Sequence, residues 1–255
     1  MRGYAVIDCE TTGLNRTGSD RIAEIAIATF DMDFNLTGKY ETLLNPEQDL
    51  GLTSLHGIDG LMASQAPRFE EVMSSIAYLL HDRIIIGHNV EFDLRFIAHE
   101  FGKKKIDMPW KGTYLDTLQM AKEAQLPTDS NQLSTLCAHF DIPLLHAHSA
   151  MADVMATAEL FQSLLLIKYS EIPALASPLN FPTNQVALSS DVSKWISRES
   201  AHEGINAPYE WNSFLKQLPH SEKELSPENI HTYLNTLHIS LINNRFTYKE
   251  REIMK

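Results

Sequence analysis

Cysteine is nearly absent from this chain of 255 residues, which holds only Cys9 and Cys137. Two thiols so far apart make no disulfide framework, and neither belongs to a Cys-x-x-Cys pair of the kind that closes on zinc. Long hydrophobic runs are missing too. Stretches such as Leu164-Leu165-Leu166-Ile167 fall far short of the roughly 20 residues a bilayer span requires. Asp8 interrupts the N-terminal segment before the apolar region of a leader could form. These absences set aside membrane-spanning, secreted and disulfide-stapled proteins, and the expected location is cytoplasmic. Basic charge is scarce as well: 21 Lys and Arg face 33 Asp and Glu, a formal net charge of −12. Such a surface repels phosphate and argues against a protein that grips duplex nucleic acid by long-range attraction. It leaves room for an enzyme that meets a few nucleotides through a metal site.

What is present is an ordinary globular composition, 44% apolar and 21% charged, enough for one large domain or a medium one with a small appendage. Residues 1–170 hold 13 basic and 23 acidic side chains, and the remainder holds 8 and 10. The surplus negative charge therefore belongs to the first part.

Tyr4-Ala5-Val6-Ile7 reads as a buried strand, Arg21 to Phe30 as a second and Lys39 to Leu44 as a third. Short loops between them predict an antiparallel meander. From Pro67 the period becomes helical, with Phe69, Val72, Met73, Ile76 and Leu80 on one stripe and Pro67 in the first turn. Ile84-Ile85-Ile86-Gly87 reads as a strand covered on both faces. Asn89 is a cap candidate for a helix carrying Phe92, Phe96, Ile97 and Phe101. Thr117–Glu123, Gln132–Phe140 and Ser149–Tyr169 continue as helices. The pattern predicts an α/β fold, a mixed sheet with helices on it. Prolines, serines and asparagines over 171–190 mark a linker. Beyond it Asp191–Glu199, Tyr209–Leu218 and Pro227–Asn243 read as helices, with a short one near Thr247.

Asp8 and Glu10 are two apart on the first strand, so both side chains leave the same face. Side by side they repel by about 4 kcal/mol at 4 Å for an effective dielectric of 20, and hard cations such as Mg²⁺ use such oxygens. Taken alone, the pair reads more readily as a solvated strand end.

The surroundings carry more. Asp8-Cys9-Glu10-Thr11-Thr12-Gly13-Leu14, Gly87-His88-Asn89-Val90-Glu91-Phe92-Asp93 and His148-Ser149-Ala150-Met151-Ala152-Asp153 follow one another in order. Together with Leu55-His56-Gly57-Ile58 and Ala66-Pro67-Arg68-Phe69, they resemble the DnaQ-like (DEDDh) 3′→5′ exonucleases, a family that includes the proofreading subunit of the bacterial replicative polymerase. The likeness runs from about residue 3 to 168. Where a tyrosine form of that family carries Tyr, this chain has Ser149, so the histidine form is the one it resembles.

The resemblance implies a ribonuclease-H-like domain over 1–170; composition and periodicity add a linker over 171–190 and a small C-terminal helical module over 191–255. It implies that Asp8, Glu10, Asp93 and Asp153 hold two Mg²⁺ or Mn²⁺ ions and that His148 acts as general base. Thr11, Leu14, His56, Asn89 and Phe92 are the implied substrate contacts. The implied substrate is the 3′ end of a single-stranded nucleic acid, DNA favoured, in DNA replication or repair. Spacing adds a condition: on one continuous helix His148 and Asp153 would point about 140° apart. They converge only if His148 lies in the loop before the helix and Asp153 in its first turn, with Ser149 as cap. Asp93 stands in the same relation to Asn89, and both aspartates would gain from a positive helix end.

In the tail, Trp195, Trp211, Phe214, Tyr233 and Leu237 give apolar surface that is buried within a helical module, against the exonuclease domain, or on a protein partner. Two other readings of the whole chain stay open at this point: a ribonuclease trimming short RNA 3′ ends, and a non-catalytic replication or repair adaptor.

Overall fold

The structure is a computed structural model that describes residues 2–15, 20–51, 53–106, 112–144, 149–168, 176–179 and 188–206. Its centre is the first strand, β1 (Tyr4–Thr11), which carries Asp8 and Glu10 as expected. It pairs antiparallel with β2 (Ile22–Phe30), and β2 pairs antiparallel with β3 (Leu36–Leu43). This is the expected meander. On its other side β1 pairs in parallel with β4 (Ile84–Gly87).

Short helices α1 (Thr53–His56) and α2 (Gly60–Gln65) precede α3 (Phe69–Leu80), whose five-residue stripe is buried. Pro67 does not sit inside that helix. It precedes the cap residue Arg68, whose N–H is taken by the Glu71 carboxylate at 3.0 Å. After β4 come α4 (Val90–Lys103), β5 (Thr113–Asp116), α5 (Thr117–Ala124), α6 (Leu133–His139) and α7 (Ala150–Lys168). β5 has no counterpart in the sequence reading. It pairs in parallel with β4, and the two-residue β6 (Ser177–Pro178) closes the order β3-β2-β1-β4-β5-β6.

The strand period of two sorts side chains between two layers. Ala5, Ile7 and Cys9 pack with α3 and α4, whereas Tyr4 and Val6 pack with α7, α5 and α6. Asp8 and Glu10 continue the row of Tyr4 and Val6, so they lie on the α7 face. By length and hydropathy α7 could cross a membrane, but it is a core helix here, laid on β1 and β2 with Val154, Leu160, Phe161 and Leu164 buried. Gly87 ends β4 where the chain turns into α4. A Cβ there would come within 2.8 Å of the Val90 Cβ and 3.2 Å of the Ile7 carbonyl oxygen, so only glycine lets α4 start this close to β1.

The expected helix over Asp191–Glu199 forms later, as α8 (Arg198–Asn206). Residues 191–197 lack regular structure and run beside β3 and α3. Leu43 donates its N–H to the Ile196 carbonyl at 2.9 Å, Ile196 donates to Thr42 Oγ1 at 3.1 Å, and the Tyr40 hydroxyl reaches the Lys194 carbonyl at 2.9 Å. This segment covers the outer edge of the sheet, where β3 would otherwise present unpaired backbone. The helices expected over 209–218 and 227–243, and the short one near 247, lie outside the described residues.

Candidate metal centre

Asp8 and Glu10 leave β1 toward α7, and Asp153 stands in the first turn of α7 as its position after Ser149 requires. One carboxylate oxygen from each of the three lies within 4.8 Å of the others, and all three side chains are half-buried. An Mg²⁺ ion with bonds of about 2.1 Å sets its oxygen ligands about 3 Å apart when adjacent and about 4.2 Å when opposite. Small side-chain rotations therefore close this set on an ion. The donors are hard oxygens only, a set that divalent cations such as Mg²⁺ accept.

Asp93 arrives differently. It is buried in the first turn of α4, on the opposite layer, and its Oδ1 accepts the Cys9 N–H at 2.9 Å. That places it beside Asp8 but outside the group of three. Its negative charge is the largest charge effect on Asp8.

The electrostatics follow from this crowding. Burial, then the charges of Asp93, Asp153, Glu10 and Glu24, hold the Asp8 carboxyl well above the usual range. Burial, then Glu24, push Glu10 up to about 7, opposed by the Arg198 guanidinium. Burial pushes Asp93 up to about 8 against the lowering effect of its backbone N–H bonds. A site whose carboxylates resist ionisation in one another's company has room for a compensating cation.

The start of α7 is set by the sheet. Glu24 accepts the Ala150 N–H at 3.1 Å, and the Met151 N–H lowers the Glu41 pKa against the burial that raises it. A carboxylate from β2 thus bonds the first turn of the helix that carries Asp153, as a positive helix end favours.

The remaining expected residues are dispersed. His148 lies outside the described residues. Thr11 is buried at the end of β1 and donates its hydroxyl to the Gly13 carbonyl at 2.7 Å, and Leu14, 74% exposed, stands just beyond. Asn89 occupies the cap position of α4 but makes no side-chain cap bond. It adopts a left-handed conformation (φ 67°) and donates its N–H to Asp116 Oδ1 at 2.9 Å. Phe92 is half-buried, its ring 4.9 Å from that of Phe96. His56 is buried: Nδ1 accepts the Ile58 N–H at 3.1 Å, Nε2 reaches the Leu50 carbonyl at 3.3 Å, and 1% of the residue is exposed. A sugar or base contact would have to displace both bonds.

Three residues that position the site escape the sequence reading: Glu24, Asp116 and Arg198. Glu24 alone left a signal, as the one charge inside the apolar run Ile22–Phe30.

The chain is similar to known proteins over this same region. Residues 5–161 match the RNase_T family, described as Exonuclease. A protein of Staphylococcus haemolyticus named 3′-5′ exonuclease DinG is 42% identical over 168 residues, covering 65% of this chain and 18% of that protein. One of Caldanaerobacter subterraneus named DNA polymerase III PolC-type is 34% identical over 164 residues, 64% of this chain and 11% of that protein. The chain thus spans less than a fifth of either of these curated relatives. Among solved structures, E. coli exonuclease I in complex with a dT13 oligonucleotide superposes with a TM-score of 0.56 at 24% identity, covering 64% of this chain and 41% of that one. Exonuclease X with 5′ overhanging duplex DNA gives 0.54 at 22%, covering 68% and 96%. These two likenesses concern the fold, a ribonuclease-H-like mixed sheet flanked by helices. With a family match spanning more than half of its residues, the chain belongs to the RNase_T exonuclease family.

Proposed function

We propose that this protein is a metal-dependent 3′→5′ exonuclease releasing nucleoside 5′-monophosphates from single-stranded or frayed DNA ends. The observation that carries the reading is the meeting of Asp8, Glu10 and Asp153 oxygens within 4.8 Å inside an exonuclease-family domain. Asp8, Glu10, Asp93 and Asp153 would hold two Mg²⁺ or Mn²⁺ ions. Such ions, when bound, lower the pKa of a coordinated water and stabilise charge on a leaving oxygen. The chain supplies the rest. His148 takes the proton from the attacking water as general base. Leu14 offers an exposed apolar face for the terminal base, and Thr11, Asn89 and Phe92 border the strand. The oligonucleotide in the exonuclease I structure supports single-stranded DNA as substrate, and the name of the staphylococcal relative supports the 3′→5′ direction. A role in DNA replication or repair accords with the names of the two relatives, and we place it in the cytoplasm.

The test is a matched pair of 5′-labelled single strands, DNA and RNA, incubated with Mg²⁺. The reading expects the DNA to shorten stepwise from its 3′ end with release of 5′-monophosphates, faster than the RNA. Faster trimming of the RNA would reassign the substrate. No cleavage of either, with Mg²⁺ or Mn²⁺, would leave the adaptor reading in its place.

A further inference from the structure

Glu24 is a fully buried carboxylate, directly opposite Glu10 in the β1–β2 register and therefore on the same face of the sheet. A charge in such a place needs partners. Its Oε2 accepts the Ala150 N–H at 3.1 Å, fixing the first residue of α7. Both its oxygens also receive the guanidinium of Arg198, with Nε–Oε1 at 2.8 Å and Nη2–Oε2 at 2.7 Å. The same guanidinium donates through Nη1 to the His56 carbonyl. Arg198 lies 174 residues away in sequence and opens α8. That helix packs on α2, burying Ala201 with Ala63 and Ala66, while Ile196 just before it joins the same cluster. The segment beyond the expected linker thus returns to the domain and inserts one cation beside the acidic site.

We propose that Arg198 is a positioning residue for the metal centre. By occupying both oxygens of Glu24, it holds that carboxylate on the first N–H of α7 and away from the ion-binding oxygens of Glu10. Asp153 is then presented to Asp8 and Glu10 in one geometry. Without Arg198, Glu24 is an unpaired buried charge next to Glu10, a competing oxygen ligand on the same face that no longer fixes α7. The inference rests on the exonuclease reading above.

The experiment compares wild type, R198A, R198K and the double variant R198A/E24Q as full chains. It measures kcat and KM on single-stranded DNA, and Mn²⁺ affinity by electron paramagnetic resonance without substrate. R198A is expected to lose about 10²-fold in kcat, the scale of a 1 Å misplacement, with KM for DNA little changed and Mn²⁺ bound more weakly. R198K is expected to fall between the two, because a single ammonium cannot reproduce the bidentate fork. R198A/E24Q is expected to recover toward wild type: the glutamine still accepts the Ala150 N–H, and the unpaired charge is gone. Should R198A not fold, R198K and the double variant carry the comparison. Wild-type kcat and Mn²⁺ affinity in R198A overturn the inference while leaving the exonuclease reading intact. So do losses tracking only the folded fraction, with no recovery on adding E24Q. A wild-type chain that neither binds Mn²⁺ nor cleaves DNA overturns the exonuclease reading first, and this inference with it.

Discussion

The Asp93 carboxylate accepts the Cys9 N–H at 2.9 Å and so ties the first turn of α4 to the strand between Asp8 and Glu10. The β4 register with β1 covers Tyr4 to Val6, and Asp93 takes the amide that lies beyond it. Asp93→Asn keeps an acceptor for that amide. It is expected to fold with a Tm at or above wild type while losing at least the about 10–100-fold in activity that weakened ion support costs. Asp93→Ala removes the acceptor too, and urea unfolding should show about 1–3 kcal/mol of destabilisation from the unpaired buried N–H. Equal stability in the two variants would contradict this role for the bond.

The raised carboxyls set how the metal-free protein responds to pH. Asp and Glu in an unfolded chain titrate near ~4, whereas Glu10 is held at about 7 and Asp93 at about 8 in the fold. Between those limits the native state keeps protons that the unfolded chain has released, so stability falls as pH rises through the window. With a chelator present, the thermal midpoint should be lower at pH 8 than at pH 5. Added Mg²⁺ should raise it more at pH 8, where the ligands must otherwise stay ionised without a cation. A flat midpoint and an equal Mg²⁺ effect at both pH values would contradict the crowding described here.

Arg21 and Glu100 form a buried two-point ion pair, Nε–Oε1 2.6 Å and Nη2–Oε2 2.7 Å, and Arg21 Nη1 also donates to the Pro46 carbonyl at 3.0 Å. The pair joins the entry of β2 to the helix carrying Asp93. Arg21→Ala leaves Glu100 charged and unpaired, with an expected cost of about 3–5 kcal/mol in chemical denaturation. Arg21→Ala combined with Glu100→Leu is expected to cost less than the single change. A larger loss in the double variant would refute that account.

In the proposed mechanism His148 moves a proton and holds no ion. His148→Ala should lower the rate by about 10²–10⁴ and leave Mn²⁺ affinity as in wild type. Loss of Mn²⁺ binding would make it a ligand instead, and an unchanged rate would remove it from the chemistry.

Much of this site was legible because period-two sorting in a strand is local: once Tyr4 and Val6 face the core, Asp8 and Glu10 must share their face. Asp153 in the first turn of α7 follows from Ser149 just as directly. The inward turn of His56 did not, since it depends on the Leu50 and Ile58 backbone folding around its ring. Nor did β5, a four-residue strand with no pattern long enough to read.

The tail departs furthest from its local signals. Asp191 spends its carboxylate on the Ser193 N–H at 2.9 Å, a turn that competes with helix, and the edge of β3 takes the backbone of Ile196. Arg198 finds Glu24 across 174 residues, a pairing that no local pattern encodes.

The most direct test of the central claim is a Mn²⁺ titration of the full chain, followed by electron paramagnetic resonance, beside Asp8→Asn, which changes the carboxylate that belongs to the cluster of three and also neighbours Asp93. The account predicts two ions bound per wild-type chain, and a folded Asp8→Asn protein that binds neither tightly and degrades no DNA. Undiminished Mn²⁺ binding in Asp8→Asn, or a wild type that cleaves DNA with the metal chelated away, would contradict it.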